Sequence, residues 1–190
     1  HNRVRRQRQM CIRDRDTLRT WVFQDFPSNN TQGKEDLVRF IRLSMRDGKL
    51  TKAYKNVEKA FFSMKSDPRW PRGENSKPMS TLDFFERVVD LASPLVSLRP
   101  VVVKGTVYQV PGPINREKSR GLGLRWLLEG ARRNSFNKCA FKEGLSRELF
   151  DVYSKTGYAY TKRLEVHKLA EENRPFSHFR WWYRTKGSKK

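Results

Sequence analysis

The sequence has little cysteine and no long apolar segment. Only two cysteines occur among its 190 residues, Cys11 and Cys139, and neither has another cysteine or a histidine at the spacing of a zinc site. The composition therefore predicts neither a disulfide-stabilised secreted domain nor a metal centre, and it fits a reducing compartment best. No apolar segment approaches the roughly 18 residues that indicate a membrane-spanning helix. We expect no membrane partner.

Negative charge is also scarce. The chain has 20 Asp and Glu against 41 Lys and Arg, which gives a formal net charge of +21 and a pI near 10.5. A positive charge of this size repels itself and indicates a polyanionic partner. Because no membrane segment is predicted, the expected polyanion is nucleic acid.

The residues that catalysis needs are few and scattered. His167 and His178 have no carboxylate pair, nucleophile or phosphate-binding glycine loop beside them in the sequence. Gly121 and Gly123 do not have the spacing of a dinucleotide-binding loop and predict close helix packing instead. We expect that the protein is not an enzyme and that it uses no cofactor.

Periodicity predicts a mainly α fold. The region 1–36 is rich in arginine and polar residues, and it predicts a basic extension that is disordered without RNA. Residues 37–182 predict a helical domain and residues 183–190 a basic tail. Apolar residues recur at helical spacing in six segments, which begin near Leu37, Ala53, Ser80, Asn115, Phe141 and Tyr160.

Two β-rich segments interrupt the helices. Val101 to Val103 and Thr106 to Val110 flank the turn pair Lys104-Gly105, which is typical of a hairpin. The prediction is a six-helix bundle with a protruding β-hairpin, about residues 99–113, between the third and fourth helices.

Basic residues on predicted helix faces are candidates for RNA binding. Arg39, Arg42 and Arg46 lie opposite the apolar face of the first predicted helix. Such a stripe is often an ordinary solvated face, but guanidinium groups suit phosphate, and the net charge favours RNA contact. Cations at a helix N-terminus oppose the helix dipole unless an anion is near. This argument adds Arg116, Lys118 and Arg120, and the other candidates are Lys49, Lys52, Lys55, Arg99, Lys104, Lys162, Arg163, Arg180 and Trp182.

For some candidates two interpretations remain open. Solvation and phosphate contact are equally compatible with Lys162 and Arg163. Trp182 could stack on an RNA base, whereas burial in the core is the commoner role of tryptophan.

Five segments carry a resemblance to a known family. They are MRDGK, TVYQVP, LRWLLEGARR, GLSRELFDVY and KRLEVHKLAEENRPFSHFRWW. In this order and spacing, over about residues 36–182, the chain resembles the S-seven family of ribosomal proteins. The resemblance implies a helical bundle with a hairpin arm that binds the 3′ major domain of small-subunit ribosomal RNA. It also implies contacts with neighbouring head and platform proteins, and a position near the exit-site tRNA and the mRNA exit channel.

The sequence departs from the bacterial pattern of that family in the arm. Val101 and Val102 stand where bacterial members usually have arginine, so the RNA contacts of the bacterial arm do not transfer directly and we expect this arm to meet a less charged surface. With the pair Trp181-Trp182, this feature resembles the mitochondrial branch and predicts the mitochondrial matrix, with chloroplast or bacterial cytoplasm as alternatives. Pro175 predicts that the last helix ends early.

Two other classes of function were weighed against ribosomal RNA binding. The Asp47-Gly48 turn between two helices is compatible with a helix-turn-helix, so a basic DNA-binding regulator is the alternative. A purely structural interaction protein is disfavoured because protein interfaces are depleted in lysine.

Overall fold

The computed structural model describes residues 17–26, 30–71, 79–136 and 140–182, and within them the protein is mainly helical. The predicted fold class is confirmed, with an additional helix at each end of the predicted set. The elements are α1 (17–25), α2 (Thr31–Ser44), α3 (Leu50–Lys65), α4 (Thr81–Ala92), β1 (Val96–Val103), β2 (Thr106–Pro113), α5 (Arg116–Phe136), α6 (Phe141–Tyr153), α7 (Tyr158–Glu172) and a 3₁₀ segment (Arg174–Trp182).

The helical domain begins earlier than the predicted boundary at residue 37. Leu18 and Val22 on α1 are fully buried in the main core, and the Trp21 ring lies 5.4 Å from that of Tyr54 on α3. The assignment of the whole of 1–36 to a disordered extension was therefore wrong for α1 and for the start of α2. Residues 1–16, like the predicted tail 183–190, lie outside the described residues.

The main core forms around α5. This helix contacts α2, α4, α6 and α7, and its Leu124 and Leu127 are fully buried. Phe85 on α4 completes the packing, with edge-to-face ring contacts at 5.7 Å to Phe40 on α2 and 5.8 Å to Phe61 on α3. Such aromatic pairs add about 0.5–1.5 kcal/mol each beyond the area they bury.

A buried ion cluster joins three of these helices. Arg120 on α5 is 3 % exposed, and its guanidinium lies 2.5 Å from Asp36 on α2 and 2.5 Å from Asp90 on α4, with Glu86 at 3.7 Å. Arg120, which was predicted to bind RNA, is therefore engaged by three carboxylates of neighbouring helices, and the structure assigns its guanidinium a role in holding α2, α4 and α5 together.

The hairpin is antiparallel, and it lies between α4 and α5 as predicted. The turn residues Lys104 and Gly105 both have positive φ, 50° and 84°, which is the conformation of a two-residue type I′ turn and is readily adopted by glycine. Val102 is paired with Val107 across the strands. The predicted arm, 99–113, is thus shorter than the observed one by three residues at its start.

The arm is anchored on one face. Val101, Val103 and Val110 form a second, smaller core with Phe176 and Phe179 of the 3₁₀ segment. Tyr108 of β2 joins the cluster, with ring centroids 4.8 Å from Phe176 and 5.5 Å from Phe179. α7 ends at Glu172, before Pro175, which confirms the early end predicted for the last helix and directs the chain back onto the arm.

We expect Arg120→Leu to destabilise the fold by about 3–5 kcal/mol, because Asp36 would stay buried without its positive partner. Urea unfolding followed by circular dichroism measures this change. The exposed Arg125 on the same helix gives the matched control, and Arg125→Leu should change stability by less than about 0.5 kcal/mol. Equal stabilities for the two variants would contradict the buried cluster.

We expect Phe176→Ala combined with Phe179→Ala to speed hydrogen exchange of the hairpin amides while the helices of the main core keep their protection. The reason is that an uncovered two-stranded hairpin is only marginally stable in water. The control, Val102→Ala with Val107→Ala, alters the exposed face of the same strands and should have the smaller effect. Hairpin exchange that is equally slow in all three proteins would show that the 3₁₀ segment does not support the arm.

Candidate nucleic-acid interface

The first basic cleft lies between α2 and the start of α5, and its volume is about 770 Å³. Its open side is formed by Arg39 and Arg42 of α2 and Arg116 of α5, all exposed, with Arg19 of α1 beside them. Arg120, Glu35, Asp36 and Glu117 also line the cleft, and Glu35 lies 3.6 Å from Arg19. The cleft therefore brings together more arginines than carboxylates, from three parts of the chain. Such a concentration of guanidinium groups is suited to phosphate.

The position of Arg39 depends on a glycine. Its Nη1 donates a hydrogen bond to the carbonyl oxygen of Glu117 at 3.2 Å. A Cβ added at Gly121 would lie only 2.8 Å from Nη2 of Arg39, so glycine leaves the space in which this guanidinium rests on α5. The expectation that Gly121 permits close packing is confirmed at this contact.

The second basic cleft, of about 650 Å³, lies where the α2–α3 turn faces the end of α5. It is lined by Arg46, Lys49, Lys52 and Arg132. Asp47 partly offsets this charge, with a carboxylate oxygen 3.9 Å from the Lys49 ammonium. The predicted arginine stripe is thus divided, with Arg39 and Arg42 of α2 in the first cleft and Arg46, which follows the end of α2, in the second.

Arg132 was missing from the predicted site. A signal was present in the sequence, because Lys118, Arg125 and Arg132 are spaced by seven residues and so lie on one flank of a helix. Arg132 reaches the cleft because it lies near the C-terminal end of the long helix α5. Lys55 and Lys118 are exposed on α3 and α5, and they are not among the residues that line either cleft.

Two predicted residues of α7 are engaged within the protein. The Lys162 ammonium lies 2.7 Å from Glu165, and this hydrogen bond raises the pKa of Lys162. Arg163 is half-buried and donates to the carbonyl oxygen of Leu91 at 2.9 Å. The structure brings neither residue to the basic clefts, and Arg163 serves to hold α7 against the end of α4.

The remaining predicted residues lie on the arm and the segment beneath it. Arg99 is half-buried and donates to the carbonyl oxygen of Pro113 at 3.2 Å, which ties the two strands together. Lys104 is exposed at the turn and Arg180 on the 3₁₀ segment. Trp182 ends that segment, and its side chain lies outside the described part of the structure.

Among the described residues there is no group of three or more His, Cys, Asp or Glu side chains placed to hold a metal ion. No described helix is long and apolar enough to cross a membrane. The two basic clefts are the described features with the clearest chemical character, and clusters of arginine and lysine of this kind are typical of helical proteins with an anionic partner.

Comparison with known proteins gives the family. The model described as ribosomal protein S7p/S5e matches residues 12–174. The chain is 36% identical over 149 residues to small ribosomal subunit protein uS7 of Dinoroseobacter shibae, covering 78% of this chain and 88% of that protein. It is 34% identical over 155 residues to the protein of the same name in Thermomicrobium roseum, covering 82% and 92%.

The chain belongs to the ribosomal protein S7p/S5e family, which confirms the resemblance carried by its five segments. The family is structural and non-enzymatic, so the prediction that the chain is not an enzyme is confirmed by membership. The match from residue 12 also agrees with the finding that α1 belongs to the helical domain.

Proposed function

We propose that this protein is a structural constituent of the small ribosomal subunit, where it binds ribosomal RNA through the two basic clefts. The observation that carries the proposal is the first cleft, in which Arg39, Arg42 and Arg116 converge from two helices. Clustered guanidinium groups repel each other in the free protein, and phosphate groups relieve that repulsion while releasing counterions. The relatives are named small ribosomal subunit protein uS7, and this name supports the small ribosomal subunit as the assembly that contains the RNA.

The proposed RNA is the 3′ major domain, which forms the head of the small subunit. The motifs that resemble the S-seven family support this choice, and they also support a proposed position near the exit-site tRNA and the mRNA exit channel. Neighbouring head and platform proteins are the proposed protein partners. Binding early to this domain would help to fold it.

The arm is proposed to contact a partner other than the RNA that the basic clefts bind. Its outer face carries the cross-strand pair Val102 and Val107, which are 67 % and 58 % exposed. These two side chains are uncharged in a chain of +21, so phosphate contact does not account for them. A neighbouring protein or the exit-site tRNA is the proposed partner.

The proposed compartment is the mitochondrial matrix. Val101 and Val102 in the arm, together with Trp181-Trp182, support it through their resemblance to the mitochondrial branch. The relatives described above are bacterial, which suits the alternative of a bacterial cytoplasm. Cosedimentation of the endogenous protein with mitochondrial small subunits tests this choice, and sedimentation only with other ribosomes would refute it.

Membership of the ribosomal family disfavours the alternative of a DNA-binding regulator. That alternative rested on the Asp47-Gly48 turn, of which Asp47 lines the second basic cleft. A comparison of binding to structured RNA and to duplex DNA separates the two functions.

We expect the combined variant Arg39→Ala, Arg42→Ala, Arg46→Ala to weaken binding to a 3′ major domain RNA fragment. Each lost phosphate contact should reduce the slope of log affinity against log salt by about 0.9 in helical RNA or about 0.7 in single strands. Filter binding from low to physiological salt measures the slope, and circular dichroism checks the fold. The control replaces three exposed cations outside the clefts, Arg87, Arg147 and Lys168, with alanine.

Both triple variants lower the net charge by the same amount. A difference between their salt slopes therefore shows that the position of the lost cations matters, and not their number alone. The same small loss of slope in the two would assign the arginine face of α2 to solvent.

We expect Val102→Thr with Val107→Thr to leave binding of the RNA fragment within about twofold of wild type, because no phosphate contact is removed. Threonine preserves the β-branched shape that strands favour. Reconstitution of small subunits should instead show weaker incorporation of neighbouring proteins or weaker retention of exit-site tRNA. Loss of RNA fragment binding in the folded double variant would make the arm part of the primary RNA site.

A further inference from the structure

Phe62 is an aromatic side chain on the outside of α3. It is 73 % exposed, whereas its neighbour Phe61 is 2 % exposed and lies in the main core. In the part of the chain that the structure describes, no other large apolar side chain is as exposed as Phe62. The residue therefore contributes little to the described core, and its ring is open to a partner.

The neighbours of Phe62 on the helix surface are mostly cations. Lys55, Lys59 and Lys65 are at positions i−7, i−3 and i+3 relative to Phe62, and all are exposed. These spacings put them on the same side of the helix. Glu58, at i−4, is the acid on this side, and the described residues supply no salt bridge to any of the three lysines.

An open ring among lysines fits single-stranded nucleic acid. Proteins bind such strands with cations that follow the backbone and aromatic rings on which unpaired bases stack. A protein partner fits less well, because protein interfaces are depleted in lysine. Double-stranded RNA also fits less well, since its bases are already stacked and a ring on a helix surface cannot reach their faces.

The surface continues from the second basic cleft. Lys52, which lines that cleft, is ten residues before Phe62 on the same helix, a separation of about 15 Å at 1.5 Å per residue. Lys55 and Lys59 lie between them. A strand that leaves the cleft thus meets cations along α3 before it reaches the ring.

We propose that the surface formed by Lys55, Lys59, Phe62 and Lys65 binds single-stranded RNA, with one unpaired base stacked on Phe62. The proposal rests on RNA binding by the family fold, and it adds a site outside both basic clefts. Lysine ammonium groups hold the backbone, and the ring accepts any base because each base has a π-face.

The test compares the full chain with Phe62→Leu and Phe62→Trp, using a single strand of about 15 uridines and an RNA duplex of the same length. Leucine keeps the apolar surface and removes the aromatic face, whereas tryptophan keeps a ring. We expect Phe62→Leu to weaken binding of the single strand by at least about fivefold, which is the lower end of the range for loss of one stacked base. Phe62→Trp should bind it within about twofold of wild type, and the duplex affinity should change by less than about twofold in both variants.

The control variant is Phe23→Leu. Phe23 is 42 % exposed, and its ring is covered by the Lys34 ammonium at 4.6 Å from the ring centroid, so its loss should leave affinity for the single strand unchanged. Ultraviolet cross-linking of the uridine strand to the wild-type chain, followed by peptide mass spectrometry, should identify the peptide that contains Phe62.

Three results would overturn the proposal: unchanged affinity in Phe62→Leu, equal losses for single strand and duplex, or an equal loss in Phe62→Trp. If any of these results is obtained while the wild-type protein still binds the 3′ major domain fragment in a salt-dependent way, the site on α3 is refuted and the proposed function is not. Failure of wild type to bind that fragment would remove the proposed function, and the site on α3 with it.

Discussion

The arrangement of the basic surface depends on a buried ion cluster. Arg120 meets Asp36, Asp90 and Glu86 between α2, α4 and α5, so three helices share one guanidinium. Burial of an ion costs several kcal/mol unless its partners are well placed, and the cluster therefore tolerates few relative positions of these helices. Arg39, one turn beyond Asp36 on α2, lies on the outside of the same junction. The contacts that neutralise Arg120 thus orient the arginines that line the first basic cleft.

Much of the fold could be predicted from the sequence, because apolar spacing and turn residues are local signals. The hairpin at Lys104-Gly105 and the end of α7 before Pro175 are examples. The contacts that Arg120 and Arg163 make inside the fold could not be predicted in this way. Their partners, Asp36 and the carbonyl oxygen of Leu91, are 84 and 72 residues away in the chain, and no local pattern reports such contacts. The helix α1 carries a weaker local signal, because Leu18 and Val22, which have helical spacing, lie within a segment rich in arginine.

The two basic clefts and the apolar face of the arm are separate surfaces. Cations from α2, α3 and α5 converge on the two basic clefts, whereas the cross-strand pair of the arm, Val102 and Val107, presents apolar side chains. The separation has a physical advantage for assembly. Attraction to phosphate is long-ranged and brings the protein to RNA quickly, whereas apolar contact acts only at close distance and depends on correct orientation. A protein with both can associate first through its clefts and then dock its arm.

The 3₁₀ segment beneath the arm has a consequence for biosynthesis. The strands end at Pro113, and the segment that covers their apolar face begins at Arg174, about 60 residues later in the chain. At 5–20 residues per second, translation takes roughly 3–12 s to cross that interval. During this time Val101, Val103 and Val110 have no Phe176 or Phe179 to pack against. A nascent chain therefore carries a strand pair whose apolar face is uncovered and can associate with other exposed apolar surfaces. The arm is complete only when the 3₁₀ segment has been synthesised.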